Sequence, residues 1–267
     1  MSLDLDLDRV VRLVTRAARE ELSPRFAQVQ RHYKPDGSQV TEADLAMQRR
    51  LTQELAEAWP EVGLLGEEMP AEEQQAQLVR PGAGLWLLDP LDGTSNFAAG
   101  IPFFSVSLAL LRDGAVQLGV VYDPSRDECF AAQRGGGAFL NGDPLAPRAA
   151  PPMRGAIALV DLKRLPPGLI ARLAQQPPYA SQRGFGSVAL EWCWIAAGRC
   201  HLYLHGRQQL WDYAAASLIL SEAGGHACTL EGEPVLRLEL RPRTALAALD
   251  PGLFADWRAW LGVPTPG

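Results

Sequence analysis

With 47% hydrophobic content over 267 residues, the chain can bury a substantial core as one large globular unit or two closely packed subdomains, without disulfide or metal staples. Its 25 Lys and Arg against 31 Asp and Glu leave a net charge of -6, and the arginines are dispersed, which argues against a general nucleic-acid or anionic-membrane surface. No apolar run approaches the roughly 20 residues of a membrane span, and the opening MSLDLDLDRVVRL lacks the basic and apolar blocks of a signal peptide, so a cytoplasmic protein is expected.

Apolar residues at Leu7, Val10, Val11, Val14, Ala17, Ala18 and Leu22 keep a helical spacing and predict a first helix with one buried stripe. The polar segment KPDGSQV reads as a loop. Thr41, with Asp44 three residues later, then forms a capping-box pattern ahead of a second helix (Leu45, Leu51, Leu55, Trp59) that Pro60 helps to end. LWLLD reads as a short buried strand. SVSLALLRDGAVQLGVVYDP reads as two strands joined at Asp113-Gly114, and ECFAAQ and AFL, followed by Asn141-Gly142, extend the sheet. Proline-rich stretches near residue 150 set a soft boundary between subdomains 1–150 and 151–267. Beyond it, short strands alternate with helices at Ser187 to Ala197, from Trp211-Asp212 to Gly224-Gly225, and at Gly252 to Leu261. Cys129, Cys193, Cys200 and Cys228 form no C-x-x-C pair and read as reduced structural thiols.

The most informative segment is WLLDPLDGTSNF, where a strand delivers Asp89 and, after Pro90 and Leu91, a second carboxylate at Asp92. Magnesium prefers octahedral oxygen coordination, so Asp89, the Leu91 carbonyl and Asp92 can supply ligands while water and a substrate phosphate fill the rest. Gly93, Thr94 and Ser95 follow; if they open a helix, their N–H groups point at an anion. On this segment alone, acids acting merely as turn formers and caps remain an alternative. LLGEEM places Glu67 and Glu68 at the mouth of another strand, where they either join a site or form a solvated acidic loop. LWDYAAASLILSEAGG sets Asp212 at a helix start, as a cap or as a further ligand.

Taken together, GEE at 66–68, DPLDGTSNF at 89–97 and WDYAAASLILSEAGG at 211–225, with TEADLA around Asp44 and RGGGAFLNG at 134–142, closely resemble the inositol monophosphatase family over most of the chain. The resemblance implies a layered αβαβα sandwich of the type shared with fructose-1,6-bisphosphatase. It implies that Glu67, Asp89 and the Leu91 carbonyl hold a first magnesium, that Asp89, Asp92 and Asp212 hold a second, and that a third, weaker ion lies near Glu67. It makes Glu67, Thr94 and Asp89 the catalytic set, with Thr94 and Glu67 orienting the attacking water. It further implies phosphate contacts from Gly93 to Ser95, with Lys34 and Asp44 at the cluster's edge, although a purely capping Asp44 is the stronger reading. A homodimer and lithium sensitivity are expected on the same ground. The implied activity is two-metal hydrolysis of a phosphate monoester of a small polyol or sugar, inositol monophosphate first. Fructose bisphosphate, histidinol phosphate and adenosine bisphosphate remain alternative substrates.

One position departs from that pattern. Where relatives acting on inositol phosphates usually carry an acid seven residues before the last metal aspartate, this chain has His205. It can accept from a substrate hydroxyl, attract a second anion when protonated, or lie idle on the surface. Glu191 likewise either touches a substrate hydroxyl or covers the surface. Two rival readings are weaker. GFGSVA at 184–189 satisfies a dinucleotide fingerprint but follows QQPPYASQR, which has no convincing buried strand. RGGGAFLNG lacks the Lys-Ser/Thr of a phosphate-binding loop and reads as a hairpin. A non-catalytic scaffold is disfavoured because the four acids and Thr94 are all present.

Overall fold

The computed structural model describes residues 6–34, 39–79 and 82–264, so part of the KPDGSQV loop and the first residues of the MSLDLDL opening lie outside the described residues. In chain order, the first elements are α1 (Leu7–Glu21), β1 (His32–Tyr33), β2 (Gln39–Val40), α2 (Glu42–Ala58), β3 (Gly63–Gly66), α3 (Ala71–Val79), β4 (Leu85–Asp92) and α4 (Thr94–Ala99). Then come β5 (Ser105–Arg112), β6 (Ala115–Asp123), β7 (Glu128–Gln133), β8 (Gly137–Leu140) and β9 (Asp143–Pro144). The remainder comprises β10 (Ile157–Asp161), α5 (Pro167–Gln175), β11 (Ser181–Arg183), α6 (Val188–Ala196), β12 (Leu202–Gln208), α7 (Leu210–Glu222), β13 (His226–Cys228), β14 (Arg243–Ala248) and α8 (Pro251–Leu261).

Strands β3 to β9 form a seven-stranded sheet in sequence order, antiparallel except for the parallel β3–β4 pair. The second sheet has five strands in the order β11-β10-β12-β14-β13, with β11, β10 and β12 parallel. Side chains alternate across each strand, so each sheet has two apolar faces to cover. On the large sheet, Trp86, Leu88, Val106, Leu108 and Val120 pack against Val10 and Val14 of α1 and Met47 and Leu51 of α2. The opposite face, with Leu85, Leu87, Ala109 and Val121, packs on α6 and α7. Those helices meet Leu159, Tyr203, Ala245 and Ala247 of the small sheet on their other side. The outer face of the small sheet is closed by Leu173 of α5 and by Leu253 and Trp257 of α8. The result is the five-layer αβαβα sandwich that the resemblance implied.

α7 lies between two sheets and is apolar almost all round, with Leu210, Trp211, Tyr213 to Ala216 and Leu218 to Leu220 buried. Its approach to the large sheet depends on Gly119, where a Cβ would stand 2.7 Å from the Ala215 carbonyl oxygen. The hairpin turn at Asp113-Gly114 and the turn at Asn141-Gly142 both use positive φ, as the sequence demands. RGGGAFLNG forms the β7–β8 hairpin. The segment before GFGSVA forms β11, which is three residues long, has no buried residue and lies at an edge of the small sheet, so no buried strand leads into these glycines. All four cysteines are buried and free. Among the described residues no helix is long and apolar enough to cross a membrane.

Candidate active site

β4 runs past the expected LWLLD to Asp92, through Pro90, because the ladder is interrupted there. Asp89 pairs with Ser107 and Asp92 with Ser105, so one surplus residue lies between them on β4. In a regular strand, positions three apart face opposite sides. The bulge absorbs one residue and turns both acids toward the inner helices. Ser107 bonds the Trp211 carbonyl of α7 at 3.1 Å, and Asp92 Oδ2 accepts from the Ser187 hydroxyl at 2.6 Å and the Ala189 N–H at 2.7 Å. Asp89 Oδ1 accepts from the Leu91 N–H at 3.0 Å, which fixes the turn.

Asp212 joins from α7, where Oδ2 accepts from the Gln209 N–H at 2.7 Å; the capping role is therefore real. That bond occupies one carboxylate oxygen. Glu67 follows β3 directly, held by its N–H donating to the Leu88 carbonyl at 3.0 Å. Lys34 Nζ lies 3.2 Å from Glu67 and 2.8 Å from the Glu68 carboxylate. Asp44 caps α2, with Oδ2 accepting from the Thr41 N–H at 2.7 Å and from its hydroxyl at 2.6 Å. It also does more than cap: Oδ1 lies 3.0 Å from Thr94 Oγ1, which stands equally near the Leu91 carbonyl oxygen at 3.0 Å. Gly93 adopts φ 94° before α4, and the first N–H groups of a helix have no intrahelical partner.

The electrostatics describe a site short of positive charge. Asp89 is held well above the ordinary carboxyl range by burial, then by Glu67, Asp92 and Asp212. Asp212 is raised by burial, then by Asp92 and Glu67. Asp92 is pushed up to about 6, chiefly by burial, against the Ser187 and Ala189 hydrogen bonds. Burial and Glu67 push Glu68 up to about 7. Burial opposes the charge on Lys34, but Glu67 and Glu68 outweigh it and raise its pKa. Among the described residues Asp89, Asp92 and Asp212 have no Lys or Arg within salt-bridge distance. No three Asp, Glu, His or Cys side chains of the described residues close on a single point. An oxygen-only set of buried, mutually repelling carboxylates suits a hard divalent cation.

Two candidate substrate contacts are placed differently from the surface alternatives. Glu191 is 4% exposed, and its Oε1 accepts from the Phe185 N–H at 2.5 Å and the Gly186 N–H at 3.2 Å; burial pushes it up to about 7. His205 is 6% exposed, with Nε2 3.1 Å from Asp161 Oδ2 and Nδ1 accepting from the Arg207 N–H at 3.2 Å. Neither residue covers the surface, because strands and helices of adjacent layers enclose both. Sequence reasoning missed Asn96, whose Nδ2 donates to the Phe103 and Phe185 carbonyls at 2.8 and 2.6 Å and so ties α4 to the 184–187 loop. It also missed Ser187 as a partner of Asp92; the small polar residue ahead of α6 was a usable signal.

A five-layer sandwich with acids from four segments at one seam defines a phosphatase scaffold. The chain belongs to the inositol monophosphatase family, whose sequence pattern matches residues 6–259. An inositol-1-monophosphatase of Rhizobium meliloti is 38% identical over 198 residues, which cover 72% of this chain and 73% of that one. The Nus factor SuhB of Pasteurella multocida is 36% identical over 200 residues, 72% of each chain. An IMPase structure from Thermotoga maritima superposes with a TM-score of 0.82 at 27% identity, covering 96% of this chain and 95% of that one.

Proposed function

We propose that the chain hydrolyses a phosphate monoester of a small polyol or sugar, inositol monophosphate first, with Mg2+ held by Glu67, Asp89, the Leu91 carbonyl, Asp92 and Asp212. The observation that carries this reading is the set of buried acids on Asp89, Asp92 and Asp212, each fixed through one oxygen and without a basic partner among the described residues. When bound, the ions activate a water and neutralise charge on the leaving oxygen.

The chain's own groups do the rest. The Thr94 hydroxyl has one hydrogen, directed to Asp44 or the Leu91 carbonyl, so its lone pairs are open to accept a hydrogen from the attacking water. Glu67 holds the other side of that water. The N–H groups of Gly93, Thr94 and Ser95 receive phosphate oxygens, and the left-handed Gly93 lets the backbone approach closely. Lys34 balances the charge of Glu67 and Glu68 at the rim. Glu191 positions the 184–187 loop, and His205 stands beside it, paired with Asp161. The expected working form is a cytoplasmic homodimer using two or three ions per site.

Phosphate release from inositol monophosphate, measured with Mg2+ and with chelator, tests the reading. Hydrolysis should need the metal and fall by orders of magnitude in Asp92→Asn and Asp212→Asn. Wild-type rates in both variants would reject the assignment. Light scattering reads the oligomeric state.

A further inference from the structure

We propose that Arg164 is a specificity-determining residue that binds a second anionic group, so that esters carrying a further phosphate or a carboxylate besides the phosphate that is cleaved are hydrolysed alongside inositol monophosphate. This rests on the phosphatase reading above and extends its substrate range.

The parallel strands β11, β10 and β12 present their carboxyl ends on one side, where sheets of this kind receive ligands. Arg183, Lys163 with Arg164, and Arg207 sit at those ends and are exposed. β12 passes directly into α7 and Asp212, which brings this rim to the acid cluster. Arg183 folds back on its own strand, donating to the Ser181 hydroxyl and the Gln182 carbonyl, both at 2.7 Å. Arg164 instead reaches across to β12, with Nη1 3.4 Å from the Arg207 carbonyl oxygen, and its charge acts on both Asp161 and Asp212. Its turn is fixed in place: a Cβ on Gly206 would lie 2.0 Å from the Arg164 carbonyl oxygen, so residues 162–164 lie flush on β12.

The wall around Arg164 offers little to a neutral hydroxyl. Asp161 is engaged by His205, both ring nitrogens of His205 are engaged by Asp161 and Arg207, and Glu191 is engaged by the 184–187 backbone. Arg164 makes no ion pair among the described residues. A planar fork with unused donors, on the rim that β12 joins to the Asp212 helix, matches the paired oxygens of a second phosphate or a carboxylate.

The test compares kcat/KM for inositol monophosphate, fructose bisphosphate and phosphoglycolate in wild type, Arg164→Ala and Arg164→Lys, at saturating Mg2+. Arg164→Ala should lower the ratio of doubly to singly anionic substrate by at least about tenfold, through KM, the size expected of one charge-assisted hydrogen bond. Lysine should restore part of it. Loss with fructose bisphosphate alone identifies a second phosphate, and loss with phosphoglycolate alone a carboxylate. A ratio that stays constant in Arg164→Ala overturns the proposal. Absence of phosphate release from all three esters by the wild type would instead overturn the phosphatase reading.

Discussion

The Ser187 hydroxyl reaches Asp92 Oδ2 at 2.6 Å and so joins the first turn of α6 to the end of β4. The bond serves both the fold and the site, because Asp92 is 8% exposed and has few other donors. Ser187→Ala should cost about 1–3 kcal/mol, since it leaves a buried carboxylate short of a donor. Urea denaturation with Mg2+ absent reads that loss, and an unchanged midpoint would show that Asp92 is satisfied without it.

Asp44 combines two roles that mutation can separate. Asp44→Ala removes the acceptor of the Thr41 N–H and the partner of Thr94. We expect a stability loss of about 1 kcal/mol from the cap, together with a fall in kcat of at least about tenfold from the unanchored hydroxyl. Thr94→Ser, which keeps the hydroxyl, should retain most of the rate, whereas Thr94→Val should not. Equal activity in Ser and Val variants would remove the hydroxyl from the mechanism.

Metal removal should expose the repulsion among the acids. In chelator, Asp212→Asn should melt higher than wild type by a few degrees, since about 1 kcal/mol of relieved repulsion corresponds to roughly 2–4 °C in a chain of this size. In Mg2+ the order should reverse, because the wild type gains stability from the ion and the variant gains less. Calorimetry under the two conditions decides the matter, and the same order in both would mean that Asp212 binds no cation.

Gly119 controls how closely α7 approaches the large sheet. Gly119→Ala would drive a Cβ to 2.7 Å from the Ala215 carbonyl oxygen, which is backbone and cannot swing aside. A cost of about 1–3 kcal/mol is expected. Asp212 rides on the same helix, so kcat should fall even in molecules that remain folded. An alanine variant with native stability and rate would show that the helix has room to shift.

Most of the fold was legible because the burial pattern of this chain is local. Helical spacing in 7–22, the Thr41–Asp44 box and the Asp-Gly and Asn-Gly turns each carry their own physical signal, and each appears in the structure. The layering followed from resemblance, since no local signal says that α7 lies between two sheets. The acids stood out by their turns and helix starts. What stayed hidden were contacts distant in sequence: Thr94 with Asp44, Ser187 with Asp92, Asn96 with Phe185. His205 and Glu191 were ambiguous for the same reason, as a polar side chain in an otherwise apolar run does not reveal which partner encloses it. Pro90 also obscured how far β4 extends, because a proline inside a central strand ordinarily argues against one.

The extra residue between Asp89 and Asp92 acts as a phase shift in the pleat. Its identity matters less than the count of residues across the bulge: an exchange at Pro90 alters stiffness, whereas one further residue inserted there would reverse the facing of every residue beyond it. Asp92 would then point into the α1–α2 layer and Leu91 toward the acids, so this short stretch should tolerate substitution far better than such an insertion.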